Sequence, residues 1–287
     1  MAAINDEKKI IISGASDGIG LETAKQLALK GFEIIMIGKN AEKLSSACER
    51  LKKLAPATKI HSFTADLSLQ ADIKRLSTEI HNRFSKIDVL INNAGAAFSK
   101  FELTSEGLEK TIATNHFNYF RLTFYLLDLL KRSRAARIVN VASNSHYPGK
   151  IDLESFTKNK NYFILRAYEQ SKLANVLFTY ELARRLGRST ITVNALHPGR
   201  VKTNMGNKAK NQIHSLGWTI AKMWGSVSVE EGAKTSVYLA TSEEVKETTA
   251  EYFADCKPKK SSALSYDKEL ARELWEYSEQ FSNIKFL

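Results

Sequence analysis

The chain has 287 residues, 43% of them apolar, with four prolines and fourteen glycines, which excludes a low-complexity or fibrous chain and allows one large α/β core. Its 42 basic and 31 acidic residues leave a net charge of +11, but Lys and Arg are scattered, and the clusters Lys257-Pro258-Lys259-Lys260 and Lys208-Ala209-Lys210 are short and lack interleaved aromatics, so no nucleic-acid partner is expected. Cys48 and Cys256 stand alone, outside any ligand spacing, so neither a metal site nor a disulfide framework is expected.

Taken in chain order, the segment Met1 to Lys9 is polar and has no apolar stretch of the secretory type, which predicts a cytoplasmic protein. Lys9 to Ser13 is a β-branched strand, followed by glycines and an amphipathic helix from Ile19 to Lys30 closed by Gly31. Glu33 to Ile37 predicts a second strand and Ala41 to Leu54 a charged helix; Lys59 to Phe63 and Leu69 to Phe84 repeat the pair. Ile87 to Ile91 predicts a strand, and Thr104 to Lys131 one long helical span. The stretch Leu122 to Leu130 within it is interrupted by Asp128, and no apolar run approaches the ~18 residues that would cross a membrane. Arg137 to Ala142 and Ile191 to Leu196 predict strands on either side of a helix from Arg166 to Leu186, and Val229 to Ala240 and Ser265 to Phe281 predict later helices.

Near-continuous apolar strands alternating with helices predict a doubly wound parallel sheet, with ligands at the carboxyl ends of its strands. No linker or composition break divides the chain, so a single domain over 1–287 is expected, with a cofactor half to about 142 and a catalytic and substrate half beyond it. Two stretches carry chemistry. Gly14, Gly18 and Gly20 lie between the first strand and the first helix, where backbone can approach a pyrophosphate and a helix N-terminus supplies amide donors, although the spacing is not Gly-x-Gly-x-x-Gly. Tyr168 and Lys172 are four residues apart, one helical turn, so a lysine cation would favour the phenolate and bring the phenol's pKa down from ~10. Together, in this order, they point to a nicotinamide-dependent oxidoreductase.

The set Gly14-Ala15-Ser16-Asp17-Gly18-Ile19-Gly20, Asn92-Asn93-Ala94-Gly95, Ser143, Tyr168-x-x-x-Lys172 and Pro198-Gly199 resembles the short-chain dehydrogenases/reductases over nearly the whole chain. Leu196-His197-Pro198-Gly199, Val139 to Ser143 and Tyr252 to Cys256 look like the retinol dehydrogenase group within that family. The resemblance implies that Tyr168 is the general acid/base, that Lys172 lowers its pKa and binds the nicotinamide ribose, that Ser143 holds the substrate oxygen, and that Asn115 holds a water linking Lys172 to solvent. It implies cofactor contacts from the glycine loop, from Asp66 and Leu67 at the adenine, from Asn93, Ala94 and Gly95 at the adenine ribose, and from Pro198, Gly199, Val201 and Thr203 near the nicotinamide. The second strand ends Ile37-Gly38-Lys39-Asn40 without an acid, so Lys39 would attract an adenosine 2′-phosphate and NADP(H) is the expected cofactor. Asp17, inside the phosphate loop, is expected to point outward, and Asp66 has a second reading as the N-cap of the following helix.

His146 and His197 lack nucleophile or metal-ligand neighbours, and His197 is expected to be structural. Tyr147, Phe156, Tyr162, Phe163 and Leu165, between Ser143 and Tyr168, are expected to wall an apolar pocket, with a surface loop as the alternative. Asn204 to Gly225 carries Trp218 and Trp224 at amphipathic spacing among lysines, which predicts a helical substrate lid at about 204–225, with peripheral contact to an anionic membrane and ordinary core packing as alternatives. The expected partner is a small apolar carbonyl or alcohol. A monomer and a homodimer both fit the sequence, and a nucleotide-sensing scaffold on the same fold is the rival to an enzyme.

Overall fold

The protein is described by a computed structural model covering residues 8–199 and 227–286, so the 204–225 lid expectation lies outside the described residues. The strands are β1 (Lys9–Ser13), β2 (Glu33–Gly38), β3 (Ile60–Thr64), β4 (Val89–Asn92), β5 (Arg137–Val141), β6 (Thr192–His197), β7 (Tyr252–Ala254) and β8 (Lys257–Pro258). Among the described residues they form one sheet in the order β3-β2-β1-β4-β5-β6-β7-β8. Every pairing is parallel except β7 with β8, as helical crossovers between successive strands require. The fold is the doubly wound α/β sheet that the sequence pattern predicts. The apolar pattern gives no sign of β7 and β8, which are three and two residues long.

The helices are α1 (Gly18–Leu29), α2 (Ala41–Leu54), α3 (Gln70–Arg83), α4 (Lys110–Ile112), α5 (Asn118–Lys131), α6 (Ile164–Leu186), α7 (Val229–Thr241) and α8 (Lys268–Ser282). Successive β1 side chains serve opposite faces. Ile10 and Ile12 join the core beneath α1, α2 and α7, and Ile11 joins the core beneath α3, α5, α6 and α8. All three are fully buried, which is why this strand reads as an unbroken apolar run rather than an alternation.

The predicted helix from Thr104 to Lys131 is corrected at its start. Gly107 takes the left-handed φ of +85°, the Thr104 amide donates to Leu108 O at 2.7 Å, and the chain turns back on itself. The helix begins after Glu109, whose carboxylate accepts the amides of Thr111 at 2.7 Å and Ile112 at 2.9 Å. Residues Ala113–Phe117 then form a π-helical turn before α5. The last helix is likewise shorter than its apolar spacing suggests. Asp267 caps it by accepting the amides of Glu269 and Leu270, both at 3.0 Å, and Ala263–Tyr266 upstream is a separate 3₁₀ turn.

α8 is part of the main core. Trp275, 2% exposed, lies 5.1 Å from the Phe120 ring and 4.8 Å from that of Phe286, with the Arg185 guanidinium 4.5 Å over its face. Trp275→Ala is therefore expected to destabilise the fold by about 3–5 kcal/mol in urea unfolding, against less than ~0.5 kcal/mol for Leu54→Ala on the surface. A Trp275→Ala loss below ~1 kcal/mol would show that α8 is peripheral.

Candidate active site

The strand order reverses between β1 and β4, since the chain passes from β1 to β2 and β3 on one side before returning to β4 on the other. A crevice at the carboxyl ends of β1 and β4 follows from that reversal. Gly14 (φ +69°) and Gly18 (φ +56°) shape the turn there, and a Cβ on Gly20 would lie 2.3 Å from Gly14 O. Only glycine fits at position 20. Asp17 is exposed, points outward as expected, and accepts the Gly18 amide at 2.8 Å, so it caps α1. Ser16 and Ile19 are half-buried, and Ser16 Oγ lies 3.3 Å from where a Cβ on Gly38 would sit.

The β4 end is latched to this turn. Ser13 Oγ accepts the amides of Asn93 at 2.9 Å and Ala94 at 3.0 Å, and Asn93 Nδ2 donates to Ser13 O at 2.8 Å. A Cβ on Gly14 would come within 2.8 Å of Ala94 Cα, so the two loops are in contact. Below them Asn92 Nδ2 donates to Asn140 Oδ1 at 2.9 Å, and Asn140 Nδ2 donates to Thr179 Oγ1 at 2.9 Å, a fully buried polar strip joining β4, β5 and α6. The glycine-rich turn beside the α1 N-terminus fits a nucleotide pyrophosphate, with Gly14, Ser16, Gly18, Ile19 and Gly20 placed to hold it.

At the ends of β2 and β3, Lys39 Nζ pairs with Asp66 Oδ2 at 2.5 Å. Asp66 Oδ1 also accepts the Ser68 amide at 3.1 Å and the Ser68 hydroxyl at 2.7 Å. Burial raises the Asp66 pKa, but the hydrogen bonds from Lys39 and Ser68 outweigh it and hold the carboxyl below its ordinary value. The reading of Asp66 as an N-cap is corrected: Leu69 occupies that position without a side-chain bond, because Asp66 is taken up in the turn before it. Leu67 buries its side chain in the core with Ile73 and Leu76.

The structure brings the four expected catalytic residues to one place. Ser143 follows β5 and is hydrogen-bonded to Tyr168 on α6. Lys172, 3% exposed, donates to Val141 O at 3.0 Å and lies 5.6 Å from the centre of the Tyr168 ring. Asn115 stands in the π turn, where Oδ1 accepts the Ala96 amide at 2.8 Å and Nδ2 donates to Ala96 O at 2.9 Å and Ser171 Oγ at 2.8 Å. Ser171 in turn donates to Tyr168 O at 2.7 Å. Gly95 separates Asn115 from Lys172: a Cβ there would lie 3.2 Å from Asn115 Oδ1 and 3.5 Å from Lys172 Nζ. The parts played by Ser171 and the Ala96 backbone carry no sequence signal, because they depend on how the π turn faces α6.

The electrostatics of this cluster differ from the expectation. Burial drives Lys172 down to about 7, and burial, opposed by the Ser143 hydrogen bond, pushes Tyr168 up to about 12. A lysine this close to neutrality, engaged on Val141 O, does not draw the phenol down as its spacing alone suggests. Tyr168 rests as a protonated phenol across the neutral range.

His197 is structural, its Nδ1 accepting the Asn144 amide at 3.2 Å. His146 is also taken up in structure: Nε2 accepts the Ser262 amide at 3.0 Å, so Nδ1 carries the hydrogen and donates to Ser143 O at 2.6 Å. Both hold the turn that presents Ser143. The pocket-wall expectation divides. Ile164 and Ala97 cluster with Tyr168, whereas Phe156 is buried in the core, Tyr147, Phe163 and Leu165 are exposed, and the Tyr162 hydroxyl donates to Phe98 O at 2.8 Å. Gly199 takes a φ of +84° beside Pro198 after β6, and Val201 and Thr203 lie outside the described residues. Among the described residues no acidic, His or Cys group is placed to hold a metal ion, and no helix is long and apolar enough to cross a membrane.

The chain is 36% identical to human retinol dehydrogenase 13 over 94% of its own length and 83% of that protein's, and 34% identical to the short-chain dehydrogenase TIC 32 A of Brassica napus over 93% and 86%. The crystal structure of an uncharacterized protein from Mycobacterium paratuberculosis, 31% identical, superposes with a TM-score of 0.79 over 98% of this chain and 95% of that one. Residues 8–214 match the short chain dehydrogenase family, a family of nicotinamide-dependent oxidoreductases. With a glycine turn at the β1/β4 crevice and a Tyr-x-x-x-Lys pair facing the serine after β5, the chain belongs to the short chain dehydrogenases.

Proposed function

We propose that this protein is an NADP(H)-dependent oxidoreductase that interconverts an apolar aldehyde or ketone and its alcohol. The observation that carries the reading is the convergence of Ser143, Tyr168, Lys172 and Asn115 at the carboxyl end of the sheet, beside the glycine turn. The nicotinamide cofactor, when bound, supplies or accepts the hydride. The protein's own task is then to orient the substrate oxygen and exchange a proton with it. Ser143 holds that oxygen next to the Tyr168 hydroxyl. In reduction the phenol gives up its proton as the alcohol forms, and a pKa raised to about 12 keeps that proton in place until a basic oxygen develops. Lys172 and Asn115 lie behind Tyr168 and hold its proton supply.

Lys39 would bind the adenosine 2′-phosphate. Its present partner is an exposed-lysine ion pair of the kind worth ~0–1 kcal/mol, which a phosphate dianion would displace for a charge-assisted bond of ~1.5–3 kcal/mol. An apolar substrate is supported by Ala97 and Ile164 beside Tyr168 and by the relatives' names as retinol dehydrogenases.

Tyr168→Phe is expected to lower turnover of an apolar aldehyde at least ~10²-fold while leaving NADPH binding, followed by nicotinamide fluorescence, nearly unchanged. Full activity in that variant would remove the proposal. NADPH is expected to exceed NADH in kcat/KM by at least about tenfold, with Lys39→Asp narrowing or reversing the ratio. Equal use of both by the unaltered protein would contradict the cofactor assignment.

Lys172 generates a pH prediction for the cofactor-free protein. Between pH 7 and 10.5 the unfolded chain holds a proton on this lysine that the folded chain has released. Its contribution to stability therefore rises with pH through that window and is constant below it. Urea midpoints of the unaltered protein should rise relative to those of Lys172→Met from pH 7 to pH 10. Parallel curves would show that Lys172 stays charged in the fold.

A further inference from the structure

We propose that His116 is a positioning residue for Asn115, and that α8, through Ser278, fixes the π turn that presents Asn115 to the active site. The proposal rests on the catalytic reading of Tyr168, Lys172 and Asn115, because the position of Asn115 matters to turnover only there.

His116 follows Asn115 in the π turn, is 1% exposed, and makes a 2.9 Å contact from Nε2 to Ser278 Oγ. The Ser278 hydroxyl donates its own hydrogen to Leu274 O at 2.7 Å. Nε2 must therefore carry the hydrogen and donate to Ser278, which leaves Nδ1 as a bare lone pair. That atom is buried and has no hydrogen-bond partner among the described residues. The rings of Phe117, Phe120 and Phe178 stand 5.3, 6.3 and 6.2 Å from the imidazole. An apolar side chain would suit such walls and leave no orphan acceptor. The single service a histidine gives here is the directed bond to α8. Burial drives the ring down to about 3, so it stays a neutral donor of fixed tautomer throughout any working range.

The π turn makes that bond consequential. Its hydrogen bonds span one residue more than those of an α-helix, and relaxing to α-helix would shift the register by one residue, about 100° about the axis. Asn115 is held from one side by Ala96 and Ser171, and its neighbour His116 from another by Ser278. Two consecutive residues anchored to different elements pin the register. The same grip continues along the chain: Arg121 Nε donates to Ser282 Oγ at 2.9 Å, and the Phe117 ring lies 5.5 Å from that of Phe281. The last helix therefore reaches the backbone of Tyr168 by a short path: Ser278 to His116, His116 to Asn115 along the chain, and Asn115 through Ser171 to the Tyr168 carbonyl.

The test compares His116→Leu, Ser278→Val and the conservative His116→Gln, whose amide nitrogen can occupy the Nε2 position, in NADPH-coupled reduction of an apolar aldehyde. His116→Leu and Ser278→Val should lower kcat by about tenfold or more with the KM for NADPH within about twofold, and His116→Gln should recover most of the loss. Hydrogen exchange followed by mass spectrometry should quicken over residues 113–118 in the two impaired variants and not in His116→Gln. Unchanged kcat in folded His116→Leu and Ser278→Val would overturn the proposal. So would Gln and Leu variants that lose activity equally and in step with thermal midpoint, since that is a purely structural effect. If His116→Leu does not fold, Ser278→Val and His116→Gln decide. Should Tyr168→Phe keep full activity, the catalytic reading itself fails; should it be inactive while His116→Leu and Ser278→Val are fully active, the present proposal alone fails.

Discussion

Two amides on one hydroxyl set the geometry of the site. Ser13 Oγ accepts from Asn93 and Ala94, and so ties the end of β4 to the end of β1 where the strand order reverses. That closeness forces glycine at positions 14 and 20, because any Cβ would strike Ala94 or Gly14 O. It also draws the chain after Asn92 across to Asn115 through the Ala96 amide and carbonyl, and Asn115 hands the constraint to Ser171 and Tyr168. The glycine turn and the cluster around Tyr168 are thus two ends of one hydrogen-bonded path rather than separate features.

Buried polar groups constrain the same region. Asn92, Asn115, Asn140 and Lys172 all lie in the interior, where an unpaired polar atom costs about 1–3 kcal/mol. The asparagine amide nitrogens are bound to side chains or backbone, Asn92 Oδ1 alone of this set having no partner among the described residues, and Lys172 takes the Val141 carbonyl. Burial without a countercharge then explains why the lysine falls towards neutrality and the phenol rises.

The architecture was largely legible in the sequence because strands buried on both faces, such as Ile10-Ile11-Ile12, leave unbroken apolar runs. Tyr168, Lys172 and the glycine turn were legible for a local reason: spacing four apart on a helix, or glycine between strand and helix, has direct geometric meaning. The legible features stop where tertiary contacts decide. The span from Thr104 to Lys131 has helical periodicity, yet Gly107 and the Glu109 cap start the helix late and the π turn shifts its register. Tyr162 shares the apolar character of its neighbours, but its hydroxyl finds Phe98 O and Glu109 and turns it inward, while Phe163 and Leu165 remain exposed. Lys39 and Asp66 were each readable as cofactor residues, but not as partners, since 27 positions separate them in the chain and only the β2–β3 pairing brings them together.

On the proposed reading these residues perform redox chemistry and do more than bind a nucleotide. The most direct measurement mixes the protein with NADPH and then, in turn, with retinals, aliphatic aldehydes, steroid ketones and quinones, following the nicotinamide absorbance and the alcohol formed. At least one apolar carbonyl should consume NADPH over many turnovers, with alcohol appearing mole for mole. Tight dinucleotide binding with no turnover across the whole panel would contradict that reading, and would mark the protein as a nucleotide-responsive scaffold built on an oxidoreductase fold.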